Sequence, residues 1–352
     1  MTASQPDVLL EVRDLVKHFP LRRSIREIVR GERPAVRAVD GVSFFVRRGE
    51  ILGLVGESGC GKTTTGRVLL RLEEPTSGEI IFDGQDITKL SREEMRRLRR
   101  RMQIVFQDPY DSMNPNLDVF RIVAEPLRIQ GLAKSHEEME ERVARALADV
   151  ELTPVEEFMH RYPRELSGGQ RQRVAIARAL VLEPDFMVAD EPVSMLDVSI
   201  RGGILKILQR LVRERGLSLL FITHDLSLAR HFCDRIAVMY LGKIVEQGAS
   251  DALVHRPHHP YTQALMEAVL STDPRQKRIY TGLAGEIPNP ANPPSGCRLH
   301  PRCPLASDRC RTETPPLVEH APGHWAACHF VEKALERLAA AEAASPAEEP
   351  AG

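Results

Sequence analysis

Apolar and polar positions alternate over residues 8–19 (VLLEVRDLVKHF), the period of an early strand with one covered face. The stretch AVDGVSFFVRRGEILGLVGESGCGKTTTGRVLLRL predicts strand, turn, strand, glycine loop and helix in that order. Short apolar runs at MQIVF, DFMVAD and SLLFIT predict further strands. Between them lie helical patterns: SREEMRRLRRR, opened by Ser91 as N-cap with Glu94 three residues on, then HEEMEERVARALADVEL and GGILKILQRLVRERG. GEIIFDGQDI and RIAVMYLGKIVEQG read as hairpins, the second turning at Leu241-Gly242. Strands alternating with helices predict an α/β core on a mainly parallel sheet, and the hairpins toward both ends add a small antiparallel sheet.

Two stretches break the pattern. Residues 21–37 (LRRSIREIVRGERPAVR) form an Arg-rich segment that reads as a solvated loop or short helix. After about residue 270, EIPNPANPPSGCRLHPRCPLASDRC is rich in Pro, Arg and Cys without period, and it reads as a separate small extension. Residues 333–352 read as a helix fraying into a disordered, Ala/Glu/Pro-rich tail.

Length and charge bound the function. The 352 residues suffice for two or three domains. A formal net charge of -1 supplies no basic field for nucleic acid. The N-terminal stretch has no basic region leading into an apolar run, and no apolar run is long enough to span a bilayer. These features predict a cytosolic protein whose membrane role comes through a partner. Of its 6 cysteines, Cys297, Cys303, Cys310 and Cys328 crowd together, and in a reducing compartment such clustering points to metal before disulfides.

The chemistry begins at residues 56–63, GESGCGKT, which fit G-x-x-x-x-G-K-[ST] between an apolar strand and a helix. Gly56, Glu57, Ser58, Gly59, Cys60 and Gly61 let successive N–H groups converge on phosphate oxygens ahead of a positive helix end. Lys62 reaches the β- and γ-phosphates, Thr63 offers a hydroxyl to Mg²⁺, and Thr64 follows on the helix. DFMVADEP ends a strand in two acids: Asp190 for the Mg²⁺ shell and Glu191 to orient or deprotonate a water. Alone, such a pair is a solvated strand end; after a complete phosphate loop it is functional. Gln107 and His224 also end apolar strands, along the sheet edge where α/β proteins bind ligands. A second glycine-rich helix start, LSGGQ at residues 166–170, offers Ser167, Gly168, Gly169 and Gln170 at a helix N-terminus, again suited to an anion.

Taken together these motifs resemble the nucleotide-binding subunit of an ABC transporter over residues 8–250. The resemblance implies a P-loop NTPase core with an antiparallel β subdomain and a helical subdomain at about 108–180. It assigns Phe19 to the adenine, Gln107 to Mg²⁺ and nucleotide, Asp197 of SMLD to the loop beside it, and His224 to the switch position. It implies head-to-tail pairing, in which LSGGQ of one chain closes on the ATP held by the other. Finer features (FPLRR, FQDPYDSMNP, DEPVSMLDVSI, HHPYTQAL and the Cys-rich extension) resemble the oligopeptide/dipeptide importer ATPases, and their F-type chain in particular. Met195 stands where alanine is usual in that family, and Thr63 where serine is; both keep the chemistry.

The resemblance therefore implies a nucleotide-binding domain at 1–270, a Cys-rich extension at 271–332 and a flexible tail at 333–352. It implies ATP and Mg²⁺ as cofactors. It implies as partners a second ATPase subunit or a second copy, two permease subunits and, indirectly, an extracytoplasmic solute-binding protein, all at the cytoplasmic face of the inner membrane. Relatives import nickel, glutathione or other small solutes, and soluble ABC ATPases or a non-hydrolysing regulatory subunit are rival classes. The cysteine spacing by itself leaves zinc, an iron–sulfur cluster and free thiols open, with His300, His324 and His329 as alternative zinc ligands. The family resemblance implies a [4Fe–4S] cluster. Cys60 reads as a small loop residue and Cys233 as buried packing.

Overall fold

Traced along the chain, the computed structural model runs β1 (Val8–Pro20), β2 (Ala35–Arg47), β3 (Ile51–Val55), α1 (Lys62–Leu69), β4 (Ser77–Phe82), β5 (Gln85–Asp86), α2 (Arg92–Leu98) and β6 (Met102–Val105). It continues through α3 (Val119–Gln130), α4 (His136–Asp149), α5 (Val155–Met159), α6 (Gly168–Leu180), β7 (Phe186–Asp190), α7 (Val198–Arg215), β8 (Ser218–Thr223) and α8 (Leu226–Phe232). The remainder is β9 (Arg235–Tyr240), β10 (Lys243–Ala249), α9 (Ser250–His255), α10 (Pro260–Leu270), α11 (Asp308–Thr312), β11 (Val318–Ala321), β12 (His324–Ala326) and α12 (Val331–Ala343). The structure describes residues 7–22, 34–109, 113–270 and 283–343. Most of the Arg-rich segment, the centre of FQDPYDSMNP, the start of the extension and the last residues of the expected tail lie outside that set. None of the described helices is long and apolar enough to cross a membrane.

The chain divides into two compact units, the first drawn from residues 1–13, 44–53 and 63–223. Its centre is a parallel ladder in which β6 lies beside β7 (Met102↔Phe186) and β7 beside β8 (Phe186↔Ser218). Every residue of β7 and β8 is buried. That is the condition of strands covered on both faces, and it explains why they read as unbroken apolar runs. The start of β3 joins the same ladder, with Leu219 N–H donating to Glu50 O at 2.8 Å. The β4–β5 hairpin turns at Asp83-Gly84, both with positive φ. Helix α2 carries the expected capping box: Glu94 N–H donates to Ser91 Oγ (3.3 Å) and Ser91 N–H to Glu94 Oε2 (2.8 Å). Helices α3, α4 and α6 pack on one another through Ile122, Leu127, Val143, Leu147, Val174 and Ala177.

The second unit comprises residues 14–43, 54–62 and 224–352. Its β9–β10 hairpin turns at Leu241 (φ 44°) and Gly242 (φ 80°), as the sequence predicts. The extension is not the unpatterned appendage its composition implied. Its β12 pairs antiparallel with β10 (Glu246↔Ala326, Gln247↔Trp325), and β11 pairs with β12. These strands have 4 and 3 residues, too few to display a period of two. A buried ionic knot fastens the extension: Arg298 reaches Leu241 O and the Asp40 carboxylate. Asp40 also bonds His18 Nε2 at 2.9 Å, and its carbonyl accepts from Lys243 Nζ at 2.9 Å. Burial alone would raise the Asp40 carboxyl, but the His18 hydrogen bond and the Arg298 and Lys243 charges together hold it below the usual carboxylate range. Arg298→Ala removes one of the three partners of that half-buried carboxylate and the tie to Leu241 O, and the expected cost is about 2 kcal/mol of stability. A lower urea midpoint at unchanged m-value checks this.

Candidate active site

The phosphate loop is set by the backbone. Strand β3 delivers the chain into residues 56–61, and α1 begins at Lys62. Gly61 has φ +112°, and a Cβ there would stand 2.0 Å from Ala38 O, so only glycine fits. Lys62 is 5% exposed, and its Nζ donates to Gly56 O (2.7 Å) and Glu57 O (3.0 Å). The ammonium is thus already held inside the loop by backbone carbonyls. Ser58 and Gly59 are exposed at the tip, whereas Cys60 is buried, and burial pushes its thiol up despite the Lys62 charge. Cys60 is a packed small residue, as its sequence context implied.

Sequence reasoning missed what braces this loop. Glu57 N–H donates to Tyr261 Oη at 3.0 Å, from the HHPYT segment at the head of α10. Tyr261 is fully buried and packs against Tyr240 with centroids 4.7 Å apart. From the extension, Arg302 Nη1 donates to Glu57 Oε2 at 3.2 Å. Tyr261→Phe leaves a loop N–H without its acceptor, so KM for ATP should rise roughly five- to tenfold, equal to about 1–1.5 kcal/mol, with kcat little changed. Steady-state ATPase kinetics test this.

The acidic half lies in the first unit. Thr63 Oγ1 donates to Asp190 Oδ1 at 3.0 Å, placing a hydroxyl beside a carboxylate that is 2% exposed. Two adjacent hard oxygens at the N-terminal turn of a helix fit a Mg²⁺ ion that keeps most of its waters. Glu191 has φ +45°, a left-handed conformation uncommon for a residue with a Cβ. Its N–H donates to Ile222 O (2.9 Å), which fixes the strained backbone, and Gln107 Nε2 donates to its Oε2 (3.1 Å). The structure thus brings Thr63 to Asp190 and Gln107 to Glu191.

LSGGQ folds as the cap of α6. Gln170 N–H donates to Ser167 Oγ (3.3 Å), and Ser167 N–H to Gln170 Oε1 (2.9 Å), a reciprocal box with Gln at its third position. Ser167 is exposed, and its hydroxyl proton is not used by the cap. Gly169 is needed because a Cβ there would come within 2.5 Å of Ile200 Cγ2, which holds α6 against α7. Beside it, Asp197 is the exposed N-cap residue of α7 without a side-chain cap bond, and Met195 (61%) and Val198 (81%) are exposed apolar neighbours.

Phe19 ends β1 in the second unit, half-buried, with Lys17 Nζ 4.7 Å from its ring centroid. His224 is exposed just past β8. Cys233 is buried, its thiol driven well up by desolvation. None of the four clustered cysteines is in a disulfide. Burial pushes Cys303 up to about 11 and Cys328 up to about 12, and neighbouring thiols add to both shifts. Of the histidines offered as alternative ligands, His300 Nδ1 bonds Cys297 O, His329 Nε2 bonds Glu313 O, and His324 Nε2 meets Glu246 Oε1.

Strand, glycine loop, lysine and helix, with a hydroxyl–carboxylate pair for Mg²⁺, define a phosphate-loop nucleotide triphosphatase. Residues 39–194 match the family model described as ABC transporter, and residues 245–310 that described as oligopeptide/dipeptide transporter, C-terminal region. The chain is 52% identical over 320 residues to a putative peptide import ATP-binding protein of Brucella ovis, covering 91% of this chain and 97% of the relative. It is 48% identical over 333 residues to the oligopeptide transport ATP-binding protein AppF of Bacillus subtilis, covering 94% and 99%. Among solved structures it is similar to dimeric MJ0796 bound to ADP and Pi, with TM-score 0.61 and 30% identity over 69% of this chain and 99% of that one. The chain belongs to the ABC transporter ATP-binding proteins, in the oligopeptide/dipeptide branch.

Proposed function

We propose that this chain is the ATP-hydrolysing subunit that powers import of di- and oligopeptides through a membrane permease. The observation that carries the peptide reading is the oligopeptide/dipeptide C-terminal region at residues 245–310, joined to a cassette whose Thr63–Asp190 and Gln107–Glu191 pairs are in place.

Residues 56–62 hold the ATP phosphates, and Lys62 turns its Nζ from the loop carbonyls to phosphate oxygens. Thr63, Thr64, Asp190 and Gln107 serve the nucleotide and its Mg²⁺, which when bound offsets charge on the β- and γ-oxygens. Phe19 stacks on adenine. Glu191 accepts a proton from the attacking water while its oxygen bonds to Pγ and the bond from Pγ to the ADP oxygen breaks, with His224 assisting. Ser167, Gly168, Gly169 and Gln170 close on the ATP of a companion ATPase, and Asp197 lines the same junction. The exposed Met195 and Val198 beside LSGGQ support a covered face there. Loss of the γ-phosphate removes the bridge and opens the pair.

The finer assignment is an F-type chain in a heterodimer, peripheral at the cytoplasmic face of the inner membrane, with a solute-binding protein acting through two permeases. A nucleotide-binding domain at 1–270 carries a helical subdomain at about 108–180 that docks the permease, followed by the extension and its tail. The extension's Cys297, Cys303, Cys310 and Cys328 ligate a [4Fe–4S] cluster. In support, the four thiols are buried or half-buried, and among the described residues no three of them bring donors within 4.8 Å, closer spacing being what a single zinc ion needs. A brown, oxygen-sensitive preparation absorbing near about 400 nm fits the cluster, and a colourless zinc protein overturns it. For the main reading, proteoliposomes bearing the chain, its companion ATPase and both permeases should accumulate labelled peptide only with ATP. ATP hydrolysis without peptide uptake, alongside uptake of another solute, would move the chain to a different importer.

A further inference from the structure

We infer that Glu246, His258 and His324 form a divalent-cation site, with zinc the ion their donors suit best. One ligand atom from each lies within 4.8 Å of the other two. All three are sealed from solvent, at 0%, 4% and 4% exposure. They come from three separate pieces of the second unit: β10, the turn into α10, and β12 of the extension. None belongs to the nucleotide machinery or to the cysteine group.

The surroundings are those of a prepared site. Glu246 is fixed by two backbone donors, His258 N–H at 2.6 Å and His259 N–H at 3.0 Å, which aim the carboxylate and hold its charge. Its Oε1 also meets His324 Nε2 at 2.7 Å. His258 Nδ1, by contrast, is buried without a hydrogen-bond partner. A buried imidazole nitrogen with nothing to bond, beside a buried carboxylate, is completed by a cation. Two imidazoles and a carboxylate are borderline donors that favour zinc over Mg²⁺ or Ca²⁺, which take oxygen. Water fills the fourth position, or His320, whose ring meets His258 edge-on at 6.2 Å.

The rings of His258 and His324 stack 3.9 Å apart within 6° of parallel. Loading therefore turns His258 about its Cβ–Cγ bond so that both lone pairs converge. The ion replaces the hydrogen shared by His324 Nε2 and Glu246 Oε1, and the ring proton moves to Nδ1, so that a neutral imidazole ligates through Nε2. Once bound, the ion pins β12 to β10 and to the turn into α10, three residues before Tyr261, which braces the phosphate loop.

Titration of the metal-free full-length chain with Co²⁺ tests the site. The site binds one equivalent with visible d–d absorption of a nitrogen/oxygen centre. His258→Ala removes that equivalent. His258→Cys restores it and adds, over any band the wild-type cysteines give, an intense near-ultraviolet sulfur-to-cobalt band, which a purely structural role for His258 would not produce. Unchanged stoichiometry in His258→Ala overturns the assignment. So does a wild-type chain without the nitrogen/oxygen absorption, whether or not a variant folds poorly.

Discussion

Glu191→Gln lowers kcat for ATP by about 10²–10⁴-fold and leaves ATP affinity within a few-fold of wild type. Glutamine keeps the shape and can still meet the Gln107 amide, which lies 3.1 Å from Oε2 in the native protein. What it loses is the ability to take a proton from water. The backbone is held at φ +45° by the Ile222 carbonyl, so the side chain stays where it was. The variant therefore accumulates with ATP bound, which in the proposed pairing is the closed state. Single-turnover hydrolysis and equilibrium binding of ATP read the two quantities separately. A kcat within tenfold of wild type would take the general-base role away from Glu191.

Gly61→Ala abolishes detectable ATP binding and destabilises the fold. The new methyl would sit 2.0 Å from Ala38 O and 2.8 Å from Met239 Cε, at φ +112°. The methionine tip can move, but the carbonyl belongs to β2 and cannot without unpairing it. The expected stability loss is about 2–4 kcal/mol, and the displaced loop no longer aligns its N–H groups. Thermal unfolding and nucleotide titration together check this, and a variant that binds ATP normally would show the loop to be far more compliant than its contacts imply.

Much of this was legible in the sequence because the motifs are local. A glycine loop, a strand-terminal acid pair and a capping box each act over a few residues, and each stands where its spacing placed it. Leu241-Gly242 turns the β9–β10 hairpin for the same reason. Contacts joining distant segments were not legible. Nothing in HHPYT states that the Tyr261 hydroxyl will meet a backbone N–H 204 positions earlier. Nor does a Pro- and Cys-rich stretch announce strands of 4 and 3 residues on the edge of β10. His324 was grouped with the cysteines by proximity in sequence, whereas strand pairing carries it to Glu246.

In the proposed pairing, Ser167 acts on a nucleotide held by another chain. A tagged Ser167→Arg chain, assembled with an unmodified companion ATPase and the permeases, can be trapped with a photoreactive ATP analogue and vanadate. Label is expected to disappear from the companion's phosphate loop and to persist on the tagged chain's own. Loss of label from the tagged chain, with the companion still labelled, would contradict it.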